Sequence, residues 1–209
     1  MTNLLLLTVI MINFYTLGSA RLVACIRAVA LQGALLALLP MMTHGPTGHA
    51  VLLGAGALLF KGIFIPWLLL RAIREIRIRR EVEPYISLAM TLVLGTLVTA
   101  GAFIFADFLP LASAHHGGMY VPTALATMFS GFLLLTTRRK AITQVLGYLV
   151  LENGIFVFAV LLSEAIPLMV EAGILLDLLV GVFVMGIVLN HINREFSTLN
   201  TQRLTALKE

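Results

Sequence analysis

The stretch that decides the fold is RRKAITQVLGYLVLENGIFVFAVLLSE, residues 138 to 164. Three cations, Arg138, Arg139 and Lys140, precede an apolar run long enough to cross a bilayer, and Glu152 stands near the middle of that run. At ~1.5 Å rise per residue, the twelve steps from Lys140 to Glu152 carry the acid roughly 18 Å from the basic edge. That is about the midplane of a ~30 Å hydrocarbon layer, too deep for a Glu side chain to reach the interface. A charge at that depth costs at least ~2.5 to 3.5 kcal/mol in lipid, so the acid is expected to face protein or water and to have a role. Gln144 and Tyr148 precede Glu152 at four-residue spacing, so one stripe of the helix reads Gln, Tyr, Glu and forms a polar track.

The rest of the chain is of the same kind. Its 209 residues are 60% hydrophobic and 11% charged, with a mean hydropathy of +1.02. Soluble domains run about 45 to 50% apolar and about 25% charged, which excludes an ordinary soluble fold and predicts an all-α, polytopic transmembrane bundle. The opening Met1-Thr2-Asn3-Leu4 lacks a basic region, so the first apolar helix is expected to be a retained span. One cysteine, Cys25, excludes an internal disulfide and any multi-Cys metal or cluster site. The formal charge of +4 reports membrane topology and carries no nucleic-acid role.

Apolar windows bounded by charge or by Pro and Gly clusters predict seven spans, near 3–20, 22–41, 50–72, 85–106, 120–137, 141–163 and 167–190. Gly18-Ser19-Ala20-Arg21 predicts a tight helical hairpin between the first two. With the amino terminus outside, Arg21, Arg27, the 71–80 cluster, Arg138 to Lys140 and the carboxy-terminal tail all fall at cytoplasmic ends. The opposite orientation breaks the positive-inside rule at every loop. Residues 1–119 are expected to form a four-span region, 120–195 a three-span region and 196–209 a cytoplasmic tail.

Ionisable groups at depth are the candidate functional residues. Lys61 lies ten residues, roughly 15 Å, from Arg71, farther than its ~6 Å stem can snorkel. It either joins a proton relay or pairs with a carboxylate to lock two helices together. Asp177 lies near the middle of the last expected span, with Gly181 one turn later, and Glu171 lies nearer its outer end. Lys61, Glu152, Asp177, Glu171, Tyr148 and Gln144 form the candidate proton path. His44, His49, His115 and His116 fall in expected outer loops, and no midplane pair exists to ligate a haem. Thr91, Thr99, Thr127 and Ser130 are expected to satisfy their hydroxyls on backbone carbonyls. No nucleotide loop, nucleophile constellation or metal cluster motif is present, so no cofactor and no self-contained active site are expected.

The run Arg138 to Lys140, Leu146-Gly147, Glu152-Asn153 and then Asp177 with Gly181 resembles the K subunit of the bacterial respiratory NADH:quinone oxidoreductase over about residues 120–195. Two positions depart from that pattern. With the basic pair and Gly147 aligned, the K-subunit acid falls at Leu149, one turn before Glu152, and Asp177 stands where that subunit has Glu. The whole length, with Phe60-Lys61-Gly62 leading to Ile65-Pro66-Trp67, resembles the hydrogenase-4 component E family of energy-converting [NiFe] hydrogenase complexes. The resemblance implies a multi-pass subunit in the bacterial cytoplasmic membrane, beside antiporter-like and other membrane-arm subunits of a hydrogenase or formate hydrogenlyase complex. There it would help couple redox chemistry elsewhere to proton movement. A structural adaptor between such subunits and a component of a cation/proton antiporter assembly are the competing readings.

Overall fold

Breakers in the apolar sequence set the helix boundaries. In the computed structural model, residues 1–44, 48–76, 84–109 and 118–162 are described. Helix α1 (Thr2–Gly18) stops where Ser19 turns extended, and α2 (Leu22–Leu36) starts after the equally extended Arg21. This reversal makes the expected hairpin, and α1 packs on α2. Helix α2 ends at Leu36, four residues before Pro40, whose ring clashes with the carbonyl at that distance. A short α3 (Leu39–His44) carries the same span onward.

The next span is continuous helix with a widened middle: α4 (Gly48–Ala57), a π-helical segment (Leu58–Phe64) and α5 (Ile65–Ile76). The Ile65 N–H reaches back five residues to the Phe60 carbonyl. Pro66 follows at once and has no N–H to offer the Gly62 carbonyl, so the irregular turns lie just upstream of a residue that cannot continue the α pattern. Lys61 sits at the centre of this segment. Helix α6 (Leu88–Phe108) is started by Ser87, whose hydroxyl oxygen accepts the Met90 N–H at 3.2 Å. Helices α7 (Tyr120–Thr137) and α8 (Ala141–Leu162) form a hairpin across Arg138 to Lys140.

Among the described residues no strand occurs; Pro84 and Arg138 form an isolated bridge. Five stretches are long and apolar enough to cross a membrane: Leu22–Thr43, Gly54–Arg71, Leu88–Phe108, Tyr120–Thr137 and Ile142–Leu162. They fall on five of the seven expected windows. The first window is the shorter apolar α1, and the seventh, with Glu171 and Asp177, lies outside the described residues.

Helices α7 and α8 make the broadest interface, and glycine allows it. A Cβ at Gly154 would lie 2.6 Å from the Met128 nitrogen and 2.8 Å from the Ala124 carbonyl oxygen. A side chain there is excluded, and the two backbones touch as small-residue faces do in membranes. Helices α1 and α2 lie against this hairpin, while α6 packs on α1 and α7, and the π segment and α5 pack on α2.

The inner helices enclose two apolar clusters. One joins Leu17, Leu22, Ile26, Val29, Leu134, Leu146 and Val150 with Ile65 and Leu69. The other joins Leu6, Val9, Leu36, Leu39, Ala124, Val157 and Val160. Along each of α1, α2, α7 and α8 a buried polar residue lies between the two clusters: Asn13, Gln32, Thr127 and Asn153. A polar layer therefore crosses the bundle at mid-depth.

Candidate functional site

Lys61 and Glu152 meet in this layer. The Lys61 Nζ lies 3.0 Å from Glu152 Oε1, with side chains 8% and 7% exposed. The ammonium also stands 4.9 Å from the centroid of the Phe156 ring. Phe156 is one turn beyond Glu152 on the same face of α8, so one helix supplies both the carboxylate and the negative face of an aromatic ring. Each residue lies near the middle of its apolar stretch, Gly54–Arg71 and Ile142–Leu162. In hydrocarbon neither charge is tolerable alone, and removing one partner of a buried pair costs about 3 to 5 kcal/mol because the other is stranded.

Beside the pair runs a chain of side-chain hydrogen bonds through four helices. The Asn153 Nδ2 donates to Gln32 Oε1 at 3.2 Å, Gln32 Nε2 donates to Asn13 Oδ1 at 2.8 Å, and Asn13 Nδ2 donates to Thr127 Oγ1 at 2.8 Å. All four residues are buried. The chain starts at Asn153, the residue next to Glu152, so the turn of α8 that carries the acid is bonded to α2, α1 and α7 in succession.

The other candidates are arranged differently. Tyr148 is half-buried one turn before Glu152. Gln144 is exposed, and its amide donates to the Arg138 carbonyl at 3.2 Å, closing the α7–α8 corner. The polar stripe thus grades from exposed at Gln144 to buried at Glu152. Glu171 and Asp177 lie outside the described residues.

Several polar positions carry more than their sequence context suggests. Asn13 and Gln32 attract no role in the sequence, although an amide within an apolar run is itself a signal, since it must find a partner in the membrane. Thr127 bonds another side chain as acceptor, whereas its hydroxyl is expected on a backbone carbonyl. Thr91 does follow that expectation, donating to the Ser87 carbonyl at 3.1 Å.

Arg138 is the larger surprise, for it stands in a run of three cations and is nonetheless 1% exposed. Its Nη2 donates to the Leu17 carbonyl at 2.9 Å and to the Thr16 carbonyl at 3.4 Å. The guanidinium thereby occupies the carbonyl end of α1, where the helix dipole presents about half a negative charge. Burial pushes the guanidinium below its ordinary value, and Cys25 nearby partly offsets this. Starting from so high a value, an Arg stays charged. Arg139 lies over the Tyr85 ring at 4.8 Å, and the Tyr85 N–H donates to the Thr137 carbonyl at 2.7 Å, tying the segment before α6 to the same corner.

No family model matches the chain, and no solved structure matches it. An uncharacterized protein of Mycobacterium tuberculosis is 33% identical over 191 residues, covering 89% of this chain and 86% of that protein. Hydrogenase-4 component E of Escherichia coli K12 is 31% identical over 156 residues, covering 74% of this chain and 71% of that protein, and the component E of Shigella flexneri is equally similar. With 31% identity over 74% of its own length and 71% of that of the Escherichia coli protein, the chain belongs to the hydrogenase-4 component E family.

Proposed function

We propose that this protein is a membrane subunit of a respiratory energy-converting hydrogenase complex, in which the Lys61–Glu152 pair takes part in proton translocation or in its coupling to redox chemistry on partner subunits. The observation that carries this reading is the ion pair itself, at 3.0 Å and mid-depth in two apolar helical stretches. An acid and a base held together away from water have linked proton affinities: protonating Glu152 removes the charge that keeps Lys61 an ammonium. A charge arriving from a neighbouring subunit would redistribute the proton between them. Tyr148, half-buried one turn from Glu152, and Gln144 at the basic end of α8 extend the polar stripe toward the edge. Asp177 and Glu171, on the last expected span, complete the proposed path.

The topology in this reading has seven spans with the amino terminus outside and the carboxy terminus in the cytoplasm, supported by the placement of Lys and Arg. Residues 120–195 act as a region like the K subunit of respiratory NADH:quinone oxidoreductase, and residues 1–119 as a four-span addition. Its setting is the bacterial cytoplasmic membrane, and its partners are antiporter-like and other membrane-arm subunits. The name of the Escherichia coli relative, a component of hydrogenase-4, supports membership of such an assembly.

The direct pairing of Lys61 with Glu152, beside the Phe156 ring, favours a second reading, a structural adaptor whose buried charges only lock helices together. Replacing Glu152 with Gln separates the two. In the coupling reading, Glu152→Gln complexes assemble with all their subunits and lose most of their proton pumping at retained hydrogenase activity. Wild-type pumping by assembled Glu152→Gln complexes removes the acid from the path. Loss of copurifying subunits selects the adaptor.

A further inference from the structure

The ion pair joins two elements that have no broad contact with each other, the π segment and α8, whereas α2 packs against both. Two adjacent residues of α2 make the connection. On one side, Gly33 faces Lys61 so closely that a Cβ on it would lie 2.9 Å from the Lys61 Cβ and 3.2 Å from the Lys61 carbonyl oxygen. On the other, Gln32, wholly buried, accepts from Asn153 at 3.2 Å and is itself braced by donating to Asn13 at 2.8 Å. Asn153 follows Glu152 directly in α8. Gly33 therefore sets how near the Lys61 backbone can come, and Gln32 sets the rotation of the α8 turn that carries the acid.

We propose that the dipeptide Gln32–Gly33 of α2 is the positioning element of the Lys61–Glu152 pair, fixing its separation and through it the proton affinity of Glu152. The two residues act through Asn153 and through the Lys61 backbone. The sensitivity is large enough to measure. At an effective permittivity of about 20, widening the pair from 3.0 Å to about 4 Å weakens its attraction enough to change the proton affinity of the acid roughly tenfold, about one pH unit. The consequence for coupling rests on the function proposed above, whereas the positioning does not.

The test uses the full chain in lipid nanodiscs and follows the infrared band of the protonated Glu152 carboxyl across pH, identified by its loss in Glu152→Gln. Gly33→Ala forces Lys61 away, and Gln32→Leu frees the Asn153 turn. Gly56→Ala, in the same span as Lys61, is the control, since a Cβ there meets nothing within 4 Å. The titration midpoint is expected to shift by about one unit in both α2 variants and to stay in place in the control. If one α2 variant does not fold, the other decides. An unshifted midpoint in a folded variant overturns the proposal. So does failure of both to fold beside an intact control, since the dipeptide would then be holding the bundle and not the pair. Turnover of the assembled complex separates this from the functional reading: a shifted midpoint with unchanged pumping upholds the positioning and removes the coupling role.

Discussion

At the scale of single residues, the cost of charge in hydrocarbon makes a sharp distinction between losing one partner and losing both. Lys61→Met strands Glu152 and is expected to destabilise the folded chain by about 3 to 5 kcal/mol, whereas the double variant Lys61→Met, Glu152→Leu, which leaves no charge behind, is expected to recover most of that loss. Thermal unfolding in detergent checks the order; a double variant less stable than the single one would mean that Glu152 is not stranded when Lys61 is gone. The depth of both residues was legible in the sequence, because an isolated charge in a long apolar run stands out and helical rise converts position into depth. Pairing is only one of two alternatives that the sequence offers for Lys61, and it singles out no carboxylate as the partner. Residues 91 positions apart meet only if two helices rotate correctly, and spacing along one chain says nothing of rotation between elements. The amide chain was hidden for the same reason: Asn13 and Gln32 are visible as polar intrusions, but their bonding to Asn153 and Thr127 is a property of four helices at once.

At the scale of elements, the end of α1 is held by a side chain 121 positions away, the Arg138 guanidinium on the Leu17 carbonyl. Arg138→Met keeps the volume roughly and removes the charged donor. Hydrogen bonds to charged groups contribute about 1.5 to 3 kcal/mol, so a loss of that size is expected. Arg139→Met, which removes only a ring contact at the edge of the helix pair, should cost at most about 1 kcal/mol. Equal losses in the two, measured by the same melting experiment, would show that the Leu17 contact does not hold α1. Sequence reasoning put Arg138 at the basic edge with its neighbours, because composition reports only that cations end a span. Burial of the first of the three follows from where α1 stops, and that is tertiary information. The π segment was equally silent: a hydrogen bond moved from the fourth to the fifth residue has no compositional signature, and Pro66 marks only the place where the pattern must fail.

At the scale of the whole molecule, α2, α7 and α8 are about half or more buried along their apolar windows, while Gly54–Arg71 and Leu88–Phe108 are 22% and 17% buried. The inner helices hold the polar layer between two apolar clusters, and the outer ones present Leu59, Ile63, Leu97, Ile104 and Phe105 outward. This division was readable in outline, since seven apolar windows imply a bundle; which helices form its centre was not, because all are similarly apolar. The length of α1 then has a consequence for the surrounding lipid. Its 17 residues span about 25 Å, short of a hydrocarbon layer of about 30 Å, and the clamp on its last carbonyls forbids it to slide toward either leaflet. In the proposed topology, where α1 crosses the bilayer, the membrane thins beside it, at a fraction of a kcal/mol for each ångström of mismatch. The protein is therefore expected to melt at a higher temperature in bilayers of fourteen-carbon acyl chains than in those of eighteen, and a melting point indifferent to chain length would show that neighbouring helices shield α1 from the lipid.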